Sequence, residues 1–253
     1  MNASPATKTR LRLDQLLVEH GHYDTRSRAR DAIARGAVSV GGRVISKPGA
    51  PVSPDARIAI TDPAKAYVSR AALKLIAGLD DFGFDPTDRD CLDIGASTGG
   101  FTQVLLVRGA RHVTAIDVGH DQMDARIAAD SRVSNREGLN ARDLSANDIG
   151  ERAITAVVSD VSFISLKLAL PPALELAGSG AFAVLLVKPQ FEAGREAIGK
   201  GGLLKDPTRG PEIADDLAAW FGNQPGWRVT GLVPSPIEGG DGNQEFLLGG
   251  VKA

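Results

Sequence analysis

From Cys91 onward the sequence alternates between two periods, and that alternation limits the possible folds more than any other feature. Short apolar runs (CLDIGA, HVTAIDVG, AITAVVSDVSF, FAVLLVKP) are separated by stretches with helical spacing (GFTQVLLVRG, MDARIAAD, SLKLALPPALELA, PEIADDLAAWFG). Apolar runs this short, bounded by turn residues, read as strands. Strands alternating with helices predict an α/β, Rossmann-like architecture, a mainly parallel sheet with helices on both faces. WRVTGLVP and NQEFLLGG then follow with only a loop between them, so the sheet is expected to end in an antiparallel pair. Ahead of the alternation, YVSRAALKLIAGLDDF reads as one helix with Val68, Ala71, Ala72, Leu75 and Ile76 on its inner face.

The front of the chain has a different pattern. Leu13, Leu16 and Leu17 start a short helix that Gly21 can stop. Thr25 can cap a second helix, RSRARDAIARG, with Ala29, Ala32 and Ile33 inward and Arg26, Arg28, Arg30 and Arg35 outward. AVSVGGRVIS reads as a hairpin about Gly41-Gly42, and ARIAI as one more strand. The expected organisation is a disordered polar tail over 1–10, a small α+β domain over 11–62, a connector over 63–66 and the large domain over 67–253. Residues 1–62 carry 10 Lys and Arg against 6 Asp and Glu, whereas the remainder carries 19 against 25. A basic front on an acidic body points the front towards a polyanion. The single cysteine, Cys91, cannot form a disulfide within the chain, which fits a reducing cytoplasm. The first ten residues lack the apolar core of a secretion signal, and no apolar run approaches the roughly 20 residues of a membrane span.

In an open parallel sheet the ligand crevice lies at the carboxyl ends of the strands. LDIGASTGGFT occupies that place after the first strand. Gly95, Ser97 and Gly99 belong to a tight turn that lets the backbone approach a ligand, and a helix begins there with its amides facing the crevice. The turn is neither the GxGxxG of nicotinamide enzymes nor a phosphate loop ending in GK[ST]. Asp93 just before it would repel a pyrophosphate and attract an ammonium group. Asp117, ending the second strand, is placed to accept hydrogen bonds from ribose hydroxyls. An acid for an amino group, glycines for close approach and a second acid for a ribose together describe S-adenosylmethionine as the cofactor. No metal-ligand cluster is expected.

AFAVLLVKPQF climbs through seven apolar residues and ends in Lys188. Asp160 in VVSDVSF likewise follows a strand, so both should share the crevice rim with Asp93 and Asp117. A lysine there can act on a weakly acidic hydroxyl, provided that burial or a second cation disfavours its ammonium form. LDIGASTGGFT, AIDVG, SDVSFIS, LLVKPQFEAG, GKGG and GNQEFLL, in this order, resemble the TlyA family of ribosomal RNA 2′-O-methyltransferases, whose catalytic domain is similar to the FtsJ type. The resemblance covers Arg12 to Leu248. It implies a class I methyltransferase sheet and a Lys-Asp-Lys-Glu tetrad falling on Lys74, Asp160, Lys188 and Glu245. It also implies that Asn140, after the third strand, lies near the adenine. Family members modify cytidines in large-subunit ribosomal RNA, some also in the small subunit. The glycine-rich loop GREAIGKGGLLK, residues 194–205, is expected to close over RNA.

The front segment, from the RLD start through Ser27-Arg28, Gly36, Gly42 and Lys47-Pro48-Gly49, resembles the small RNA-binding domain named after ribosomal protein S-four. The resemblance implies a phosphate-binding patch of Arg26, Arg28, Arg35, Arg43 and Lys47 that brings the chain to structured ribosomal RNA or ribosomal subunits. Two other function classes compete. One is a cytolysin, since family members often carry a haemolysin name. The other is a catalytically inactive RNA-binding assembly factor. Base methylation is disfavoured: SDVSF stands where exocyclic-amine enzymes need Asn/Asp-Pro-Pro-aromatic, and Cys91 is expected inside a strand.

Overall fold

A computed structural model describes residues 10–253, so the tail read over 1–10 lies outside the described residues apart from Arg10. The described residues form two compact units, divided between Pro63 and Ala64.

In the first unit β1 (Leu11–Arg12) leads into α1 (Leu13–Glu19) and α2 (Arg26–Ala34). β2 (Val38–Val40), β3 (Arg43–Val44), β4 (Pro51–Val52) and β5 (Ile58–Ile60) follow. Thr25 caps α2 as expected, its hydroxyl accepting from the Arg28 amide at 3.3 Å. Gly41 and Gly42 both take positive φ, 58° and 82°, which lets a two-residue turn join β2 to β3 with Val40 opposite Arg43. Leu13, Leu16, Leu17, Tyr23, Ala29, Ala32, Ile33 and Val38 close the core.

The arginines of α2 do not all behave as a solvated face. Arg35, expected outward, has its side chain only 13% exposed and pairs with Asp31 at 2.9 Å and Asp62 at 3.0 Å. It is the C-cap of α2, where the helix ends and the side chain turns towards the end of the unit. Arg35 therefore leaves the predicted phosphate patch. Arg26 is exposed but donates to the fully buried Asp14, which Arg12 also holds. Arg28 is half-buried, while Arg30, Arg43 and Lys47 are exposed.

The second unit starts with α3 (Ala72–Phe82), shorter than the spacing predicts. The Val68 amide donates to Gln103 Oε1 at 2.8 Å, so the segment before α3 is tied to a neighbouring helix instead of winding into its own. There follow β6 (Asp90–Ile94), α4 (Gly100–Val107), β7 (His112–Asp117), α5 (Ala125–Ala128), β8 (Val133–Glu137), α6 (Ala146–Ile149) and β9 (Ile154–Ser159). The chain continues through α7 (Leu166–Ala169), α8 (Pro171–Leu176), β10 (Phe182–Val187), α9 (Pro189–Glu192), α10 (Gly210–Gly222), β11 (Trp227–Pro234) and β12 (Phe246–Lys252). Pro171 and Pro172 split the helix expected over SLKLALPPALELA, since a proline fits only the first turn of a helix.

The seven strands run in the order β11-β12-β10-β9-β6-β7-β8. β10, β9, β6, β7 and β8 pair in parallel. The last strand does not sit at the edge: β12 inserts between β10 and β11, antiparallel to both. The pairing of β11 with β12 is as expected, and the insertion makes β12 the one reversed strand in the sheet. β6, β9 and β10 are buried along nearly their whole length. Their carboxyl ends define the crevice.

Candidate active site

The turn after β6 is built by conformations that only small residues adopt without strain. Gly95 and Gly99 have φ of 84° and 88°, and a Cβ on Gly95 would lie 3.0 Å from the Val161 backbone. Ser97 takes φ 46° and is exposed at the tip. Asp117, ending β7, holds this turn. Its Oδ2 accepts from the Ser97 amide at 2.8 Å and its Oδ1 from the Gly119 amide at 2.7 Å. Asp117 thus stands at the carboxyl end of β7 and braces the glycine turn.

Asp93 is a correction. It is fully buried, its Oδ2 accepts from the Thr102 hydroxyl at 2.6 Å, and its Oδ1 is buried without a partner. Burial pushes its carboxyl up to about 7, with the like charge of Asp160 adding to the effect. Sealed beneath the glycine turn, it presents no exposed oxygen to a ligand there. The acid that lines the cavity at that turn is Asp160. Asn140 spends its side chain locally: its Oδ1 accepts from the Arg142 amide at 3.1 Å and caps a short helical turn. The Leu139 amide donates to the Asp117 carbonyl, which keeps this turn beside the end of β7.

Two buried ion pairs form at the opposite side of the crevice. Lys188, directly after β10, places Nζ 2.7 Å from Asp160 Oδ1, a charge contact outside hydrogen-bonding alignment. The same Nζ donates to Ser162 Oγ at 2.7 Å. Lys74 on α3 donates to Glu245 Oε2 at 2.5 Å, both side chains being almost wholly enclosed. Burial raises the Glu245 carboxyl above its ordinary range, opposed by the charges of Lys74 and Lys188. The four residues of the expected tetrad are thus brought together as two pairs, and Lys188 and Glu245 share the lining of one cleft of about 1090 Å³.

That cleft also exposes residues that the sequence reading missed. Phe163 is 91% exposed with φ 65°, a strained conformation for a bulky side chain, and its ring lies 5.1 Å from that of Phe191. Ser162 carried no signal as a lysine partner, because a lone serine two residues after Asp160 fits no chemical pattern. The loop over 194–205 borders the cleft through Gly194, Arg195, Ile198, Gly201 and Gly202. It is fastened by the buried Asn243, whose Oδ1 accepts from the Leu204 amide at 3.1 Å and whose Nδ2 donates to the Gly202 carbonyl at 2.9 Å. Among the described residues no helix is long and apolar enough to cross a membrane.

Comparison with known proteins agrees with the motif resemblance. The FtsJ-like methyltransferase family matches residues 67–252, and the S4 domain matches residues 11–58. The chain is 42% identical over 241 residues to the 16S/23S rRNA (cytidine-2'-O)-methyltransferase TlyA of Mycobacterium tuberculosis, spanning 94% of this chain and 89% of that protein. It is 37% identical over 237 residues to hemolysin A of Brachyspira hyodysenteriae, spanning 94% and 98%. A solved structure described as a hemolysin from Streptococcus thermophilus superposes with a TM-score of 0.74 at 37% identity, covering 98% of this chain and 90% of that one. With both domains matched and similarity running nearly end to end, the chain belongs to the FtsJ-like methyltransferases, within the group that carries an S4 domain and includes TlyA.

Proposed function

We propose that this chain uses S-adenosylmethionine to methylate the ribose 2′-hydroxyl of a cytidine in large-subunit ribosomal RNA, in the cytoplasm, with small-subunit RNA as the alternative substrate. The observation that carries the reading is one cavity that joins both halves of the site. Gly95, Ser97, Thr98 and Gly100 line it from the cofactor side, and Asp160, Ser162 and Lys188 from the other. The residues fit the cofactor. Gly95, Ala96 and Gly100 add little side-chain bulk to its wall, and Asp160 brings a carboxylate suited to an ammonium group. The cofactor supplies an electrophilic methyl carried on a sulfonium.

Everything else falls to the chain. Lys188 stands where the target hydroxyl must come, held from two sides by Asp160 and Ser162. It orients the hydroxyl, and alignment of the reacting atoms supplies most of the acceleration. To take the hydroxyl proton it must act as the neutral amine, which requires that its own extra proton first pass to the Asp160 carboxylate or to solvent. Lys74 and Glu245 back this group with a second pair of opposite charges. Phe163 offers an open aromatic face to an unstacked base at the cleft rim. The basic front unit, through Arg26, Arg28, Arg43 and Lys47, holds the RNA backbone. Cytidine and ribosomal RNA as substrate come from the activity named for the M. tuberculosis relative.

The test is methyl transfer from labelled S-adenosylmethionine to ribosomal RNA and to isolated subunits, with the product mapped for ribose methylation. The expected result is a 2′-O-methyl cytidine that disappears with Lys188→Ala. Cofactor binding without transfer to any ribosomal substrate would favour the assembly-factor reading instead.

A further inference from the structure

Two acids end adjacent parallel strands, and only one has so far been given work. Asp117 and Glu137 are paired in register at the carboxyl ends of β7 and β8. Between them runs the segment 118–123. Glu137 gathers three successive amides of that segment: Oε2 accepts from Asp121 at 2.6 Å, and Oε1 from Gln122 at 3.1 Å and Met123 at 3.2 Å. Asp121 takes φ 55°, which helps turn neighbouring amides towards one acceptor. These backbone bonds hold the Glu137 carboxyl down at about 2, so it stays charged across any working pH.

This strap delivers one side chain, Gln122. Its Oε1 accepts from Ser97 Oγ at 3.1 Å, which ties the strap to the tip of the glycine turn. Its amide also lies across Gly119. The point where a Gly119 Cβ would sit is 1.7 Å from Gln122 Nε2 and 3.1 Å from Asp117 Oδ1. Gln122 therefore stands beside the very carboxylate read as the ribose acceptor, and it remains exposed. A ribose hydroxyl that donates to Asp117 leaves its own oxygen in need of a donor. Asp117 has none to give, and the amides of Ser97 and Gly119 are already committed to it. The Gln122 NH₂ is the nearby side-chain donor left to fill that place.

We infer that Gln122 is a second ligand to the ribose hydroxyls of the bound cofactor, and that Glu137 is the positioning residue that presents it. The inference rests on the S-adenosylmethionine reading above. It assigns the segment 118–123 a binding role, and it gives the glycine at 119 a use: a side chain there would displace the Gln122 amide from beside Asp117.

The experiment is calorimetric binding to the full chain of two probes, S-adenosylhomocysteine and its analogue lacking the ribose 2′ and 3′ hydroxyls. Wild type, Gln122→Ala, Gln122→Met and Glu137→Gln are compared, with thermal melting as a check on folding. All three variants are expected to bind S-adenosylhomocysteine about tenfold more weakly than wild type, the loss of one hydrogen bond to the ribose, direct in the Gln122 variants and through the loosened strap in Glu137→Gln. On the dideoxy analogue all four proteins are expected to bind alike. Equal weakening of both probes would reduce Glu137 and Gln122 to fold supports and overturn the inference. So would unchanged binding of S-adenosylhomocysteine by the Gln122 variants. Absence of binding by the wild type would instead remove the cofactor reading itself, and this inference with it.

Discussion

A carboxylate at the end of a buried strand either opens into the crevice or is sealed beneath it, and the residue pattern does not distinguish the two. Asp160 takes the first course and Asp93 the second. The sequence places both at carboxyl ends of strands, which is correct. What separates them is the side-chain direction, fixed by the turn that follows: Thr102 on α4 reaches back to Asp93 and covers it. The same geometry has a pH consequence. Burial lifts the Asp93 carboxyl from 3.8 to about 7 in the folded protein. Between those values the folded state binds a proton that the unfolded chain does not, so stability is full below about 4 and falls as pH rises through about 7. Three pKa units correspond to about 4 kcal/mol at most. Asp93→Asn is expected to remove this slope in cofactor-free protein, leaving the variant more stable than wild type at pH 8 and not at pH 4. Urea unfolding at the two pH values measures it, and parallel stability curves for the two proteins would show that Asp93 is not protonated in the fold.

At the scale of elements, β12 organises both faces of the sheet. Gly249 and Gly250 lie near its middle, paired on one side with β10 and on the other with β11. A Cβ on Gly249 would meet the Phe82 ring of α3 at 2.5 Å, and one on Gly250 the Phe221 ring of α10 at 2.2 Å. Successive strand residues face opposite sides, so these two glycines receive one phenyl ring on each face of the sheet. NQEFLLGG reads as a strand through its glycines, but nothing local reveals that those glycines are needed by two rings distant in sequence. β8, the third strand and the one before Asn140, gives a weak local signal for a different reason: VSNRE carries little apolar content and pairs only at the sheet edge. The runs that were legible, in β6, β9 and β10, are those buried on both faces. Gly250→Ala is expected to destabilise the protein by about 3 kcal/mol through overpacking against Phe221 and the Arg228 carbonyl. A companion Phe221→Leu substitution should restore part of that loss. Chemical denaturation of the single and double variants reads both effects, and equal additive losses would mean that the ring and the glycine do not meet.

For the molecule as a whole, the alternation of patterns was enough to separate a basic front unit from an α/β body, because domain class follows from periodicity and charge. The phosphate patch was less legible. Helical spacing puts Arg28 and Arg35 on one face, yet the helix stops at Ala34 and Arg35 turns into ion pairs with Asp31 and Asp62. The sequence contains these acids, but only the fold brings Asp62 back to α2. The two kinds of cation should therefore separate in solution. Arg43 and Lys47 are exposed on and just beyond the hairpin, where contact with RNA phosphates releases counterions. Neutralising both, as Arg43→Ala with Lys47→Ala, is expected to weaken RNA binding and to lower the slope of log affinity against log salt by about 2, roughly one for each lost contact. Arg35→Ala should leave that slope alone. It strips a partner from the buried Asp62 carboxylate and should instead lower the stability of the front unit. Fluorescence anisotropy with a structured ribosomal RNA fragment over a salt series, beside thermal melts of the same proteins, separates the two effects. A salt slope changed by Arg35→Ala as much as by the double substitution would return Arg35 to the RNA surface.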